Sequence, residues 1–190
     1  MRSRRGEGIN DAPEADLPAD GLPVRQSSGL RPSVRPSGRS YDVITFDCYG
    51  TLIDWERGIG DAVLTAAAAD GVRLDRAGVL SAYAEIEPVV EAEGFRSYRE
   101  VLTESVRRLA ARLHWPLPHA RAGFLAASLP AWPPFPDTNG ALRRMAAAGL
   151  RLGVLSNVDD DLFAGTRTHL SASFEFVITA AQVRSYKPAH

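Results

Sequence analysis

The feature that most restricts the fold is a change of rhythm along the chain. Val43-Ile44-Thr45-Phe46 is a run of strand formers that leads into a carboxylate, Asp47, and a turn-prone segment, Cys48-Tyr49-Gly50-Thr51. From about Ile59 the apolar residues recur at helical spacing through IGDAVLTAAAADG, RAGVLSAYAEIEPVVEAEG and YREVLTESVRRLAARLH. In the last of these Val101, Leu102, Ser105, Leu109 and Leu113 share one face. WPLPHA breaks the chain, ARAGFLAASL reads as a short helix, and PAWPPFPDT is a proline-rich return. Helix and strand then alternate. TNGALRRMAAAG is a helix, LRLGVLS a strand ending at Ser156, DDDLFAGTRTHL a helix and FEFVITA a strand. Such alternation predicts parallel pairing with helical crossovers. The expected fold is therefore α/β, a Rossmann-like parallel sheet with a helical cap inserted after the first strand.

The same pattern sets expected boundaries. Residues 1–39 are dense in proline, glycine, serine and charge, and read as a disordered tail. Residues 40–57 and 131–190 make up the expected core, and 58–130 the cap. Gly71 and Gly149 sit where the first cap helix and the returning helix should end.

Composition narrows the partners. A formal net charge of −1 gives no footprint for nucleic acid or an anionic membrane surface. No apolar run approaches the roughly 20 residues needed to span a bilayer. Cys48 is the only cysteine, so no internal disulfide can form, which suits a reducing cytoplasm. Of the 22 basic residues only Lys187 is lysine. In a chain that uses arginine wherever a bare positive charge suffices, this lysine points to a need for its compact ammonium.

In open parallel sheets ligands bind beyond the C-terminal strand ends. Three polar groups fall there: Asp47 with Thr51, Ser156 with Asn157, and Lys187 in RSYKPAH. Desolvating an unpaired carboxylate is costly, so Asp47, at the end of a strand read as buried, calls for a partner. Lys187 supplies one, and an oriented aspartate beside a lysine is a reasonable nucleophile. Tyr49 and Trp55 would line an apolar pocket for a short acyl chain. His114, His119, His169 and His190 lack metal-ligand spacing, and Asp159-Asp160-Asp161 reads as a solvated helix start rather than a metal site. No metal or other cofactor is expected.

FDCYGTLID, VLSNVDDDLF and SYKPAH together resemble three ordered motifs of the haloacid dehalogenase superfamily, over residues 41 to 190. The resemblance implies Asp47 as nucleophile, Thr51 and Ser156 as hydrogen-bonding orienters, and Lys187 as the cation that holds the carboxylate. The phosphatases of that superfamily carry a second aspartate where this chain has Tyr49. Asp-x-Tyr-Gly-Thr instead resembles the L-2-haloacid dehalogenase branch. That implies attack of Asp47 on the halogen-bearing carbon of a short 2-haloacid, followed by hydrolysis of the aspartyl ester. Ser156 and Asn157 would then hold the substrate carboxylate. The branch also implies a halide-binding arginine from the cap. None lies near SAYAEIE, which leaves Arg96 and Arg99 as candidates. The family sequence continues beyond the place where this one ends at His190, so the expectation is a truncated member with an incomplete core, an unpaired edge beside the first strand and reduced activity. A phosphatase acting on a small phosphate ester stays open as an alternative. So does a non-catalytic fragment that meets a partner, or a second copy in a homodimer, through that edge or through the cap.

Overall fold

The computed structural model describes residues 41–188. Residues 1–39, read above as a disordered tail, lie outside the described residues, as does His190.

Three parallel strands form the sheet, in the order β1 (Val43–Phe46), β2 (Arg151–Ser156), β3 (Phe176–Thr179). Val43 to Phe46 pair with Arg151 to Val154, and Gly153 to Ser156 pair with Phe176 to Thr179. β2, central among the described strands, buries Leu152 and Val154. β1 pairs with β2 alone among the described strands. The fold is α/β, with a Rossmann-like parallel sheet and a helical block between its first two strands.

That block holds α1 (Trp55–Ala69), α2 (Arg76–Ala92), α3 (Tyr98–Arg112) and α4 (Phe124–Ser128). α5 (Thr138–Ala147), α6 (Asp160–Arg167) and α7 (Ala180–Val183) belong to the alternating part. α1 starts at Trp55 rather than near Ile59 because Asp54 caps it, accepting the Arg57 N–H at 3.0 Å. Asp75 caps α2 through the Gly78 N–H, and Ser97 and Glu100 close a capping box on α3. Each helix turns a stripe inward. Val79, Ala82, Tyr83, Ile86 and Val90 of α2 face Val101, Leu102, Ser105 and Leu109 of α3 in one buried cluster. β3 is shorter than FEFVITA suggests, since Thr179 caps α7 and turns the chain at once.

Of the three consecutive aspartates, Asp160 and Asp161 are exposed in the first turn of α6, as expected, but Asp159 is not a solvated helix opener. Asp159 is buried and accepts the backbone N–H groups of Tyr98 at 2.8 Å and Arg99 at 2.9 Å, so it satisfies the open first turn of α3. Asp160 accepts from Thr179 and Gln182, and Asp161 from Arg99. Asp159 and Asp161 tie the alternating part to the helical block, while Asp160 joins α6 to the end of β3 and to α7. Asp159→Ala would leave two inward-facing donors unmatched, and is expected to destabilise the fold by about 3 kcal/mol. Chemical denaturation checks this, and a change below roughly 0.5 kcal/mol would deny Asp159 that role.

Candidate active site

Asp47 follows β1 directly, and the turn after it is set by its hydrogen bonds. The Cys48 carbonyl accepts the N–H groups of Thr51, Leu52 and Ile53, while the Gly50 N–H donates to the Ile53 carbonyl. Gly50 has φ +95°, and a Cβ there would meet the Trp55 indole at 3.2 Å, so glycine is required on both counts. The turn sends Cys48 inward and leaves Asp47 at the surface of a cleft. Burial pushes the Cys48 thiol well above its ordinary range, with Asp47 adding to the effect, which makes it a packing residue and not a nucleophile.

Asp47 is not desolvated as its position after a buried strand suggested. Its side chain is 43% exposed, because β1 has one neighbouring strand among the described residues and its end is not enclosed. The expected partner is present. The Lys187 Nζ donates to Asp47 Oδ1 at 2.8 Å and to the Leu155 carbonyl at 2.6 Å, which fixes the ammonium between the ends of β1 and β2. Asp47 Oδ2 carries no hydrogen bond to a described residue.

The other predicted residues divide into two groups. Ser156, at the end of β2, is buried, lines the same cavity, and its hydroxyl has no hydrogen-bond partner among the described residues. Asn157 lies beside it, but its amide clamps the backbone of Lys187. Its Nδ2 donates to the Lys187 carbonyl at 3.2 Å, and its Oδ1 accepts the Lys187 N–H at 2.9 Å. The Tyr49 ring lines the cavity while its hydroxyl is tied to the Thr166 hydroxyl at 2.9 Å. Burial pushes the Tyr49 phenol far above its usual range, so it donates no proton to a leaving group. Thr51 is exposed, and its hydroxyl makes no hydrogen bond to Asp47 or Lys187.

The cavity encloses about 500 Å³. Trp55 and Ile59 of α1, Tyr98 of α3 and Trp132 form apolar wall, with Tyr49 stacked on Tyr98 and edge-on to Trp132. Neither candidate arginine reaches it. Arg96 pairs with Glu93 and Arg99 with Asp161, both at the surface. Glu87 and Glu91 of α2 line the cavity instead. Sequence reasoning passed over both. A signal existed for Glu87, which lies one helical turn beyond the buried Tyr83 and so falls on the apolar side of α2. Among the described residues no cluster of three or more His, Cys, Asp or Glu is arranged to hold a metal ion. No described helix is long and apolar enough to cross a membrane.

The site thus joins an aspartate after the first strand, a polar pair after the second and a lysine after the third, under a helical roof. Residues 41–190 match the haloacid dehalogenase-like hydrolase family, and the chain belongs to that family. Comparison with curated proteins found no match. Among solved structures, a defluorinating L-2-haloacid dehalogenase shares the fold at 21% identity and a TM-score of 0.68, over 80% of this chain and 65% of that one. An L-2-haloacid dehalogenase of Xanthobacter autotrophicus with chloropropionic acid covalently bound is 21% identical, with a TM-score of 0.65 over 78% of this chain and 60% of that one. A third L-2-haloacid dehalogenase is 22% identical, with a TM-score of 0.68 over 80% of this chain and 69% of that one. The chain spans less than two thirds of the length of the first two.

Proposed function

We propose that this hydrolase removes halide from short L-2-haloacids by way of an ester on Asp47, and that it does so in the cytoplasm without a metal. The observation that carries the reading is the Asp47–Lys187 pair at the cavity mouth, with no proton donor in the turn that follows it. Lys187 occupies Oδ1 and leaves Oδ2 as the attacking oxygen. Oδ2 displaces halide from C2 of the substrate, so that a C–O bond forms as the C–halogen bond breaks and its electron pair leaves with the halide. A halide needs no proton, which suits a Tyr49 hydroxyl already bound to Thr166. Water then adds to the ester carbonyl, which returns the Asp47 carboxylate and releases a 2-hydroxy acid and a proton. Ser156 offers a hydroxyl to the substrate, and Asn157 acts through its hold on Lys187. In this reading residues 58–130 form a cap that contributes Ile59 and Tyr98 to the apolar wall, and 40–57 with 131–190 form the core that supplies Tyr49, Trp55, Trp132 and the reacting groups.

Halide release from L-2-chloropropionate with no added metal tests it. One chloride is expected for each lactate formed. Phosphate release from a small ester in Mg²⁺, with no chloride released from the haloacid, would favour the phosphatase alternative and overturn the reading.

A further inference from the structure

A haloacid is an anion, yet the cavity that would receive it carries more acid than base. Asp47, Glu87 and Glu91 line it, and among the described residues Lys187 is its one cationic lining residue. Two of the three Lys187 ammonium protons are committed, to Asp47 and to the Leu155 carbonyl. A carboxylate seated near Ser156 would share the cavity with Glu91, which lines it together with Ser156 and Asn157. If Glu87 and Glu91 were both ionised, they would repel such a ligand within the cavity.

The cavity is built to avoid that state. Glu87 accepts the Tyr83 hydroxyl at 3.1 Å and the Tyr98 hydroxyl at 2.5 Å, both on Oε1, and makes no hydrogen bond through Oε2 to a described residue. Glu91 stands one helical turn further along α2, so two carboxyl groups face one cavity at close range. Desolvation raises the Glu87 carboxyl above its ordinary value against the pull of the two tyrosines. Desolvation and then the Glu87 charge push Glu91 up to about 7, opposed by the nearby Asn157 amide and by Lys187. The remaining neighbours do not neutralise Glu91. Tyr186 is a phenol whose own proton is held more tightly by burial, and the Arg184 guanidinium lies over the Phe95 ring at 5.3 Å. Independently of the acids, the buried and unpartnered hydroxyl of Ser156 in the same cavity marks a place where a ligand acceptor belongs.

We infer that Glu87 and Glu91 form a protonation-dependent receptor for the carboxylate of the substrate, in which the acid form of Glu91 donates a hydrogen bond to the anion beside Ser156. A protonated carboxyl here does the work of a fixed cation, and binding of the anion takes up a proton. Affinity for a short carboxylate therefore falls as pH rises through the range in which Glu91 loses its proton. The inference rests on the haloacid reading for its ligand, but it concerns binding and not turnover.

Propionate is the probe, since it has the carboxylate and no halogen to displace. Its binding is read from the quenching of Trp55 and Trp132 fluorescence between about pH 5.5 and 8.5. For the wild-type chain the dissociation constant is expected to rise roughly tenfold for each pH unit above about 7. Glu91→Gln, which keeps a donor and cannot ionise, is expected to bind propionate with little change over the same range. Wild-type binding that is flat with pH, or that strengthens as pH rises, would overturn the inference. So would a cavity that takes tetramethylammonium in place of propionate. A chain that binds propionate in the expected manner but releases no halide from chloropropionate would overturn dehalogenation and leave this inference standing.

Discussion

Asp47→Asn is expected to cut halide release from L-2-chloropropionate by about 10⁴-fold while leaving the fold intact. The substitution is nearly isosteric, and the Asp47 side chain is 43% exposed, so little packing is lost. The neutral amide nitrogen or oxygen that replaces Oδ2 is a far weaker nucleophile, and the Lys187 ammonium loses its charged partner. The first half-reaction gives a sharper readout than steady-state rate. Mixing the wild-type chain with substrate should produce one chloride per chain as the ester forms, even where hydrolysis is slow, and the ester should appear as a mass adduct on the peptide that contains Asp47. Asp47→Asn should show neither. Halide release within about threefold of wild type, from a variant with an unchanged melt, would remove Asp47 from the chemistry.

How far the sequence reached is best seen residue by residue. The pairing of Asp47 with Lys187 spans 140 positions, yet it was legible. A parallel sheet brings the C-terminal ends of its strands together whatever the chain between them does, and a lone lysine among arginines is conspicuous. The C-terminal ends of α1 and α5 were legible at Gly71 and Gly149, which take positive φ just past each helix, whereas the N-cap at Asp54 was not. Nor was Asp159. It looks like an ordinary helix-opening acid until α3 arrives, 61 residues earlier in the chain, with two backbone donors that nothing local can foresee. Asn157 sits where expected but spends its amide on the backbone of Lys187, and a residue type at a strand end does not reveal which partner reaches it first. Glu87 and Glu91 were missed because acids on a helix are usually solvated. Only the closure of α2 over the strand ends turns them into cavity groups. The burial assigned to Asp47 was read from the apolar residues of its strand, and it conflicts with the unpaired edge expected beside that strand; among the described strands β1 is an outer one and Asp47 is exposed.

Lys187→Met should cost about 10²- to 10³-fold in rate, less than loss of Asp47 but more than any change in the apolar wall. Methionine fills similar space, so the loss isolates the ammonium. That group donates to Asp47 Oδ1 at 2.8 Å and to the Leu155 carbonyl at 2.6 Å, an arrangement that orients the carboxylate and leaves its second oxygen open. Arginine should not rescue it. The planar guanidinium is larger than the ammonium and cannot place one nitrogen within reach of both a strand-end carbonyl and Oδ1 without displacing the carboxylate. Asn157→Ala tests the support beneath the lysine. It leaves the ammonium present and frees the backbone that carries it, so its effect should be smaller and should fall on kcat rather than KM. If Lys187→Arg were as active as wild type, a bare positive charge would suffice, and neither the choice of lysine nor the clamp by Asn157 would have a catalytic purpose. If Lys187→Met alone retained activity, the carboxylate would be oriented by another group, and Lys187 would serve only to join the C-terminal segment to the sheet.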